Sequence, residues 1–184
     1  SVLEIPHIHY KISSDTEVGA YLTEERKQWI EGVGEAVVNS ELFTSEEVSL
    51  VTFEEFAVFC RNYGLNPYHE TIKMDREAYL EMQIADYILN NNDRHEQNWG
   101  FLMENVTGKL TGLCPLFDHD HAFVNYKNVM SQTTEREMSL REAALRAQHE
   151  LEIDLRGLSE MDKPTFLSDE QWRAVQDRRK QLTA

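Results

Sequence analysis

The sequence predicts an α+β fold that is mainly helical, with one small β-hairpin set between the helices. Three observations carry that prediction. Apolar residues recur at three- and four-residue spacings through much of the chain, as on helices with one buried face. Ser/Thr-x-x-Glu/Gln boxes, the pattern that opens helices, stand at Thr44, Thr52, Ser139 and Ser168. Between them, Trp99–Met103 and Lys109–Cys114 read as two short strands joined by a Gly-containing turn.

The elements follow in order. Val2–Ile12 alternates loosely between apolar and polar residues and reads as a strand or two. The opening is abrupt, as if the chain began mid-sheet, so it reads as part of something longer. From about Thr23 to Asn39 the pattern is helical, weakened by Gly32 and Gly34. Thr44 with Glu47 and Thr52 with Glu55 predict one interrupted helix or two short ones. Phe53, Phe56, Ala57 and Cys60 form one stripe, and Gly64 supplies a left-handed end. Pro67 suits the first turn of a helix running to about Leu89, with Ile72, Tyr79, Leu80, Ile84, Tyr87 and Ile88 on its apolar face. Asn90–Asn92 forms its exit, since asparagine tolerates left-handed geometry. After the hairpin come a compact loop, Leu116–Phe123, and helices opening at Ser139 and Ser168.

Composition narrows the function. The 184 residues suit one domain and 41% are hydrophobic, enough for a core. No run of eighteen apolar residues appears, and Ser1–Tyr10 lacks the pattern of a signal peptide. Cys60 and Cys114 read as reduced, buried thiols, which with the preceding points favours the cytoplasm. The 33 acidic residues outnumber 18 basic ones, a net charge of −15, which disfavours nucleic acid and anionic membranes as partners. Arg173, Arg178, Arg179 and Lys180 read as solvated cations in the last turns of a helix. Trp29, Trp99 and Trp172 read as packing residues.

Two loops, one on each side of the hairpin, concentrate the functional groups: Asn90-Asn91-Asn92-Asp93-Arg94-His95-Glu96-Gln97-Asn98 and Pro115-Leu116-Phe117-Asp118-His119-Asp120-His121. Phosphoryl transfer needs a carboxylate to take or orient the acceptor's hydroxyl proton, and hard oxygen ligands to hold magnesium against phosphates. A protein-kinase catalytic loop provides an aspartate, an asparagine five positions later, and a second aspartate after a strand–turn–strand. Here Asp93, Asn98 and Asp118 stand at that spacing, with the hairpin between.

Asp93-Arg94-His95-Glu96-Gln97-Asn98 resembles the D-R-H-x-x-N catalytic loop of phosphoinositide lipid kinases and related atypical kinases. Pro115-Leu116-Phe117-Asp118 resembles the P-x-[FY]-D metal-binding segment of HipA-like serine/threonine kinases of bacteria and phages. The pair is similar to the HipA-like branch, over residues 80–125. The resemblance implies a kinase-like C-terminal lobe over 41–184, preceded by a remnant of the N-terminal lobe and hinge over 1–40. It implies ATP and magnesium as cofactors and Asp93 as catalytic base. Asn98 and Asp118 would hold the metal and nucleotide, and Arg94 and His95 would support the loop. It also implies a hydroxyl acceptor, a protein being favoured, and an antitoxin-like protein partner.

The sequence departs from the kinase pattern in three places. No G-x-G-x-x-G occurs, since Gly32-Val33-Gly34 lies in a helical context, and no V-A-I-K-like lysine stands out. Both would lie upstream of Ser1, and without that nucleotide-clamping lobe the chain could be inactive by itself. His119 follows Asp118, so Asp120 remains a possible metal ligand, although the Pro-Leu-Phe lead-in favours Asp118.

Other readings stand beside this one. Arg94 could pair with a local acid in a purely structural network. Cys114, His119, His121 and His95, with His7 and His9, could make a metal-dependent phosphate-ester hydrolase, although no accepted ligand spacing occurs. A non-catalytic kinase-like interaction module is the third.

Overall fold

The computed structural model describes residues 6–7, 10–12, 38–119, 121–123, 130–131, 138–165 and 167–183. The elements are β1 Tyr10–Ile12, β2 Val38–Ser40, β3 Val48–Thr52, α1 Phe53–Asn62, α2 Pro67–Leu89, β4 Gly100–Glu104 and β5 Lys109–Leu113. They continue with β6 Met130–Ser131, β7 Met138–Ser139, α3 Leu140–Leu151, α4 Gly157–Glu160 and α5 Asp169–Thr183. The fold is mostly helical around a small antiparallel sheet of order β3-β4-β5. Two-stranded pairs β1-β2 and β6-β7 complete the strands among the described residues.

Local signals set most helix ends. The Thr52 hydroxyl accepts from Glu55 N–H and the Glu55 carboxylate accepts from Thr52 N–H, so α1 starts on a full capping box. Ser139 and Glu142 do the same for α3. At α5, Ser168 and Gln171 exchange the equivalent pair of bonds. Gly64 closes the α1 exit at φ 69°, in the left-handed region that costs glycine least. Phe53, Phe56, Ala57 and Cys60 are buried as one stripe, and both cysteines are free thiols in the interior. Phe53 stacks on Trp99 at 4.2 Å between centroids, and Tyr79 lies 5.6 Å from Trp99. Trp99 is therefore core, and Trp172 packs against its edge.

Helix α2 is the spine. It packs chiefly on α3 and also touches α1, α5 and β5. At Asp75 it breaks (φ −152°, ψ 72°), and the Asp75 carboxylate explains how. One oxygen accepts from Ala78 N–H at 3.4 Å, re-capping the second half. The other accepts from Leu113 N–H at 2.9 Å and pins β5 to the break.

Three expectations fail. Thr44–Glu47 opens no helix: Val48–Thr52 is strand β3, paired with β4 from Val48↔Glu104 to Thr52↔Gly100. Ser45 takes over Glu47, whose carboxylate accepts from the Ser45 hydroxyl while its N–H donates back to that oxygen. The helix expected to reach Asn39 does not, because Val38–Ser40 pairs with β1; residues 23–37, with Trp29, Gly32 and Gly34, lie outside the described residues. Of the C-terminal cations, Arg173 and Lys180 are exposed as expected, but Arg178 and Arg179 are not. Arg179 is buried, with its Nε on Gln176, and half-buried Arg178 donates to the Ile88 carbonyl.

That last bond completes the end of α2. A helix leaves its last four carbonyls without internal partners. Here Asp86 O accepts from Asn90 and Asn91 N–H, and Tyr87 O from Asn90 N–H. Ile88 O accepts from Arg178 and Leu89 O from Phe123 N–H. All four are satisfied, so the loop that follows leaves from a fixed point.

Candidate active site

The loop after α2 is held from three sides. Its start is the α2 terminus, where Asn90 turns through φ 53°. Its far side sits on the first turn of α1, whose unsatisfied N–H groups find loop carbonyls. Phe53 N–H donates to Trp99 O at 2.9 Å and Glu54 N–H to Glu96 O at 3.0 Å. Gln97 Nε2 adds a bond to the Glu54 carboxylate at 2.7 Å.

The third side is Arg94, 2% exposed. A guanidinium has five N–H donors and no acceptor, and here each donor has a partner. Nε lies 3.3 and 3.2 Å from the two Asp86 carboxylate oxygens. Nη2 reaches Asp86 Oδ1 at 3.0 Å and His119 Nε2 at 3.1 Å. Nη1 donates to the carbonyls of Asn98 and Phe117, both at 2.7 Å. One nitrogen thus joins the loop that carries Asp93 to the segment that carries Asp118. Burial pushes the Asp86 carboxyl above its ordinary range, against the pull of the Arg94 guanidinium and the Asn91 amide. Because the guanidinium only donates, His119 Nε2 must accept, which puts the imidazole proton on Nδ1. Burial, Arg94 and His7 depress this histidine to about 4, so it is neutral near pH 7.

Within the loop, Asp93 is held by its backbone. Its carbonyl accepts from His95 N–H at 2.8 Å and from the Asn98 side-chain amide at 3.0 Å. Its N–H donates to Asn91 Oδ1 at 3.4 Å. None of these loop bonds uses the carboxylate. A carbonyl only accepts, so the Asn98 atom facing it is Nδ2, and Oδ1 points elsewhere as the amide's remaining oxygen. His95 Nδ1 accepts from Gln97 N–H at 3.2 Å, and His95 O from Asn98 N–H at 2.9 Å.

Asp118 is half-buried at φ 56°, an unusual backbone conformation for a residue with a side chain. The segment before it is fixed. Leu116 N–H donates to Pro6 O at 2.8 Å, and the Phe117 ring lies 5.7 Å from that of Phe43. Asp120 and His9 lie outside the described residues.

Asn98 Oδ1 and the Asp118 carboxylate are hard oxygen donors. Magnesium fits such a partial set, because it keeps its remaining positions for water and substrate phosphates. Among the described residues no group of three or more His, Cys, Asp or Glu could hold a metal ion by itself. Two of the zinc-type donors are ill set for a metal: His119 is on Arg94, and burial pushes the Cys114 thiol up to about 11.

Sequence reasoning missed Asp86, and it read Asn91 only as part of the loop and His119 as a candidate metal ligand. Asp86 was detectable: it lies three and four positions after Gln83 and Met82, on the buried face of α2, where an aspartate needs a partner.

No protein-family model matches this sequence, and no curated protein matches it. Among solved structures the chain is similar to the crystal structure of a Helicobacter pylori proinflammatory kinase, CtkA. The TM-score is 0.56 at 15% identity, over 97% of this chain and 77% of that one. At that identity the likeness is one of fold, and among the described residues no helix is long and apolar enough to cross a membrane. The chain has a kinase-like fold.

Proposed function

We propose that this chain is an ATP- and magnesium-dependent phosphotransferase that moves the γ-phosphoryl group to a hydroxyl, a protein serine/threonine kinase of HipA-like type. The observation that carries the proposal is the single Arg94 nitrogen holding the Asn98 and Phe117 carbonyls. It brings together the two loops that phosphoryl transfer requires. The kinase-like fold supports the same reading.

In this reading Asp93 is the base. The acceptor oxygen attacks the γ-phosphorus, its proton passes to the Asp93 carboxylate, and the bond to the β–γ bridging oxygen breaks to release ADP. Magnesium, when bound, would neutralise charge on the phosphates. Asn98 Oδ1 and Asp118, with Asp120, would hold it. Asn98 is suited to that task because its amide nitrogen is already committed to Asp93 O. Arg94 and His95 support the loop. Residues 1–40 belong to an N-terminal lobe and hinge, and 41–184 to the C-terminal lobe. Catalysis rests on positioning and electrostatics, with no covalent intermediate.

The roles separate in one experiment. Asp93→Ala abolishes transfer of labelled γ-phosphate and leaves Mg-ATP binding nearly intact, whereas Asp118→Ala weakens the binding itself. Equal loss of binding in both variants contradicts the assignment.

A further inference from the structure

We propose that Asn91 is a positioning residue for the phosphoryl-transfer step, aligning the Asp93 carboxylate by fixing the backbone that carries it. This inference rests on the kinase reading above and adds to it a residue that touches neither nucleotide nor metal.

Two of the three consecutive asparagines have distinct structural places. Asn90 makes the left-handed exit of α2. Asn91 is fully buried, at 0% exposure. Its backbone N–H donates to Asp86 O at 2.8 Å and its side-chain Nδ2 to Asp86 Oδ1 at 3.1 Å. Its Oδ1 accepts from Asp93 N–H at 3.4 Å. The orientation of the amide is fixed at both ends, since a carboxylate oxygen only accepts and a backbone N–H only donates. Asp86 is itself immobilised by the Arg94 fork.

The Asp93 backbone is therefore gripped between two asparagine side chains: Asn91 on its N–H and Asn98 on its carbonyl. With both ends of the residue held, the carboxylate is left to rotate about its own side-chain bonds. Losing the Asn91 grip allows the peptide before Asp93 to turn and carries the carboxylate away from the acceptor oxygen. At 3.4 Å the contact is long for an N–H···O bond. Misplacement of a reacting group by about 1 Å costs on the order of 100-fold in rate.

The test is a graded series on the full chain: wild type, Asn91→Ser and Asn91→Ala. Serine retains a short hydroxyl that closes the same turn more weakly, and alanine has none. Mg-ATP affinity is measured by calorimetry. The reaction is followed under single-turnover conditions as loss of labelled γ-phosphate from ATP, counting phosphate on protein and in solution together. The expected result is a rate falling in the order Asn, Ser, Ala, by about 10- to 100-fold for alanine, with Mg-ATP affinity changed less than threefold. A purely structural role would lower rate and affinity together. Asn91→Ala at the wild-type rate, or a parallel loss of affinity and rate, overturns the positioning role alone. A wild-type chain that neither binds nor consumes Mg-ATP overturns the kinase reading and this inference with it.

Discussion

Replacing Arg94 with methionine removes a side chain that joins α2, the Asp93 loop and the Asp118 segment. Arg94 and Asp86 are each 1% exposed at the side chain. Removing one partner of such a pair leaves an uncompensated buried charge and costs about 3–5 kcal/mol. The Asn98 and Phe117 carbonyls also lose their common donor. For a chain of this size each kcal/mol lowers Tm by roughly 2–4 °C, so Arg94→Met is expected to melt roughly 6–20 °C below wild type. Without Arg94, burial drives Asp86 to keep a proton in the folded state. A folded pKa raised above the unfolded one gives stability at low pH that is lost as pH rises, so the deficit is larger at pH 8 than at pH 5. Asp86→Asn alone strands the arginine and carries a similar cost. The double variant leaves neither charge buried, and should be less destabilised than the two single costs together by about 2 kcal/mol. Thermal and urea unfolding followed by circular dichroism would complete the cycle. An Arg94→Met protein within about 3 °C of wild type, or additive single costs, would show that the network does not hold the loops.

Two further outcomes follow from the same geometry. His119 is neutral in the folded chain and held at about 4, against 6.5 for the ordinary group. Its contribution is complete above pH 6.5 and is lost as pH falls through about 4, and at about 1.4 kcal/mol per unit it amounts to about 3 kcal/mol. His119→Gln keeps an acceptor for Arg94 without titrating, so the wild-type minus variant stability should slope across that window; a flat difference contradicts the assigned proton state. Gly100 faces Thr52 in the β3–β4 register, and a Cβ there would strike the Val51 carbonyl oxygen and lie 2.8 Å from Thr52 Cα. Gly100→Ala should cost about 1–3 kcal/mol by forcing the strands apart, and a variant melting with wild type would mean that the strands are not so closely paired.

The parts of the fold that were legible in the sequence are those decided within a few residues. Thr52, Ser139 and Ser168 cap helices because their partners lie three positions on, in the same turn. Gly64 and Asn90 end helices for equally local reasons. Thr44–Glu47 carries the same box and fails, because Val48–Thr52 is claimed by β4 from about fifty residues away. The hairpin and the functional loop on each side of it were readable from spacing. The element that joins them was not. Arg94 could be read as pairing with some acid, but choosing Asp86 requires knowing that the last turns of α2 are buried on that side and that the chain turns back at Asn90. His119 looked like a metal-site candidate because its sequence neighbours are acidic, whereas its place in the fold puts it on a guanidinium.

The most direct test of the kinase reading is calorimetric titration of Mg-ATP into the wild-type chain and its Asp118→Ala variant. The expected result is saturable binding to the wild type that depends on magnesium and is lost or strongly weakened in Asp118→Ala, with both proteins melting alike. Equal binding by the two proteins, or no binding to a folded wild type, would contradict a nucleotide–metal site at Asn98 and Asp118.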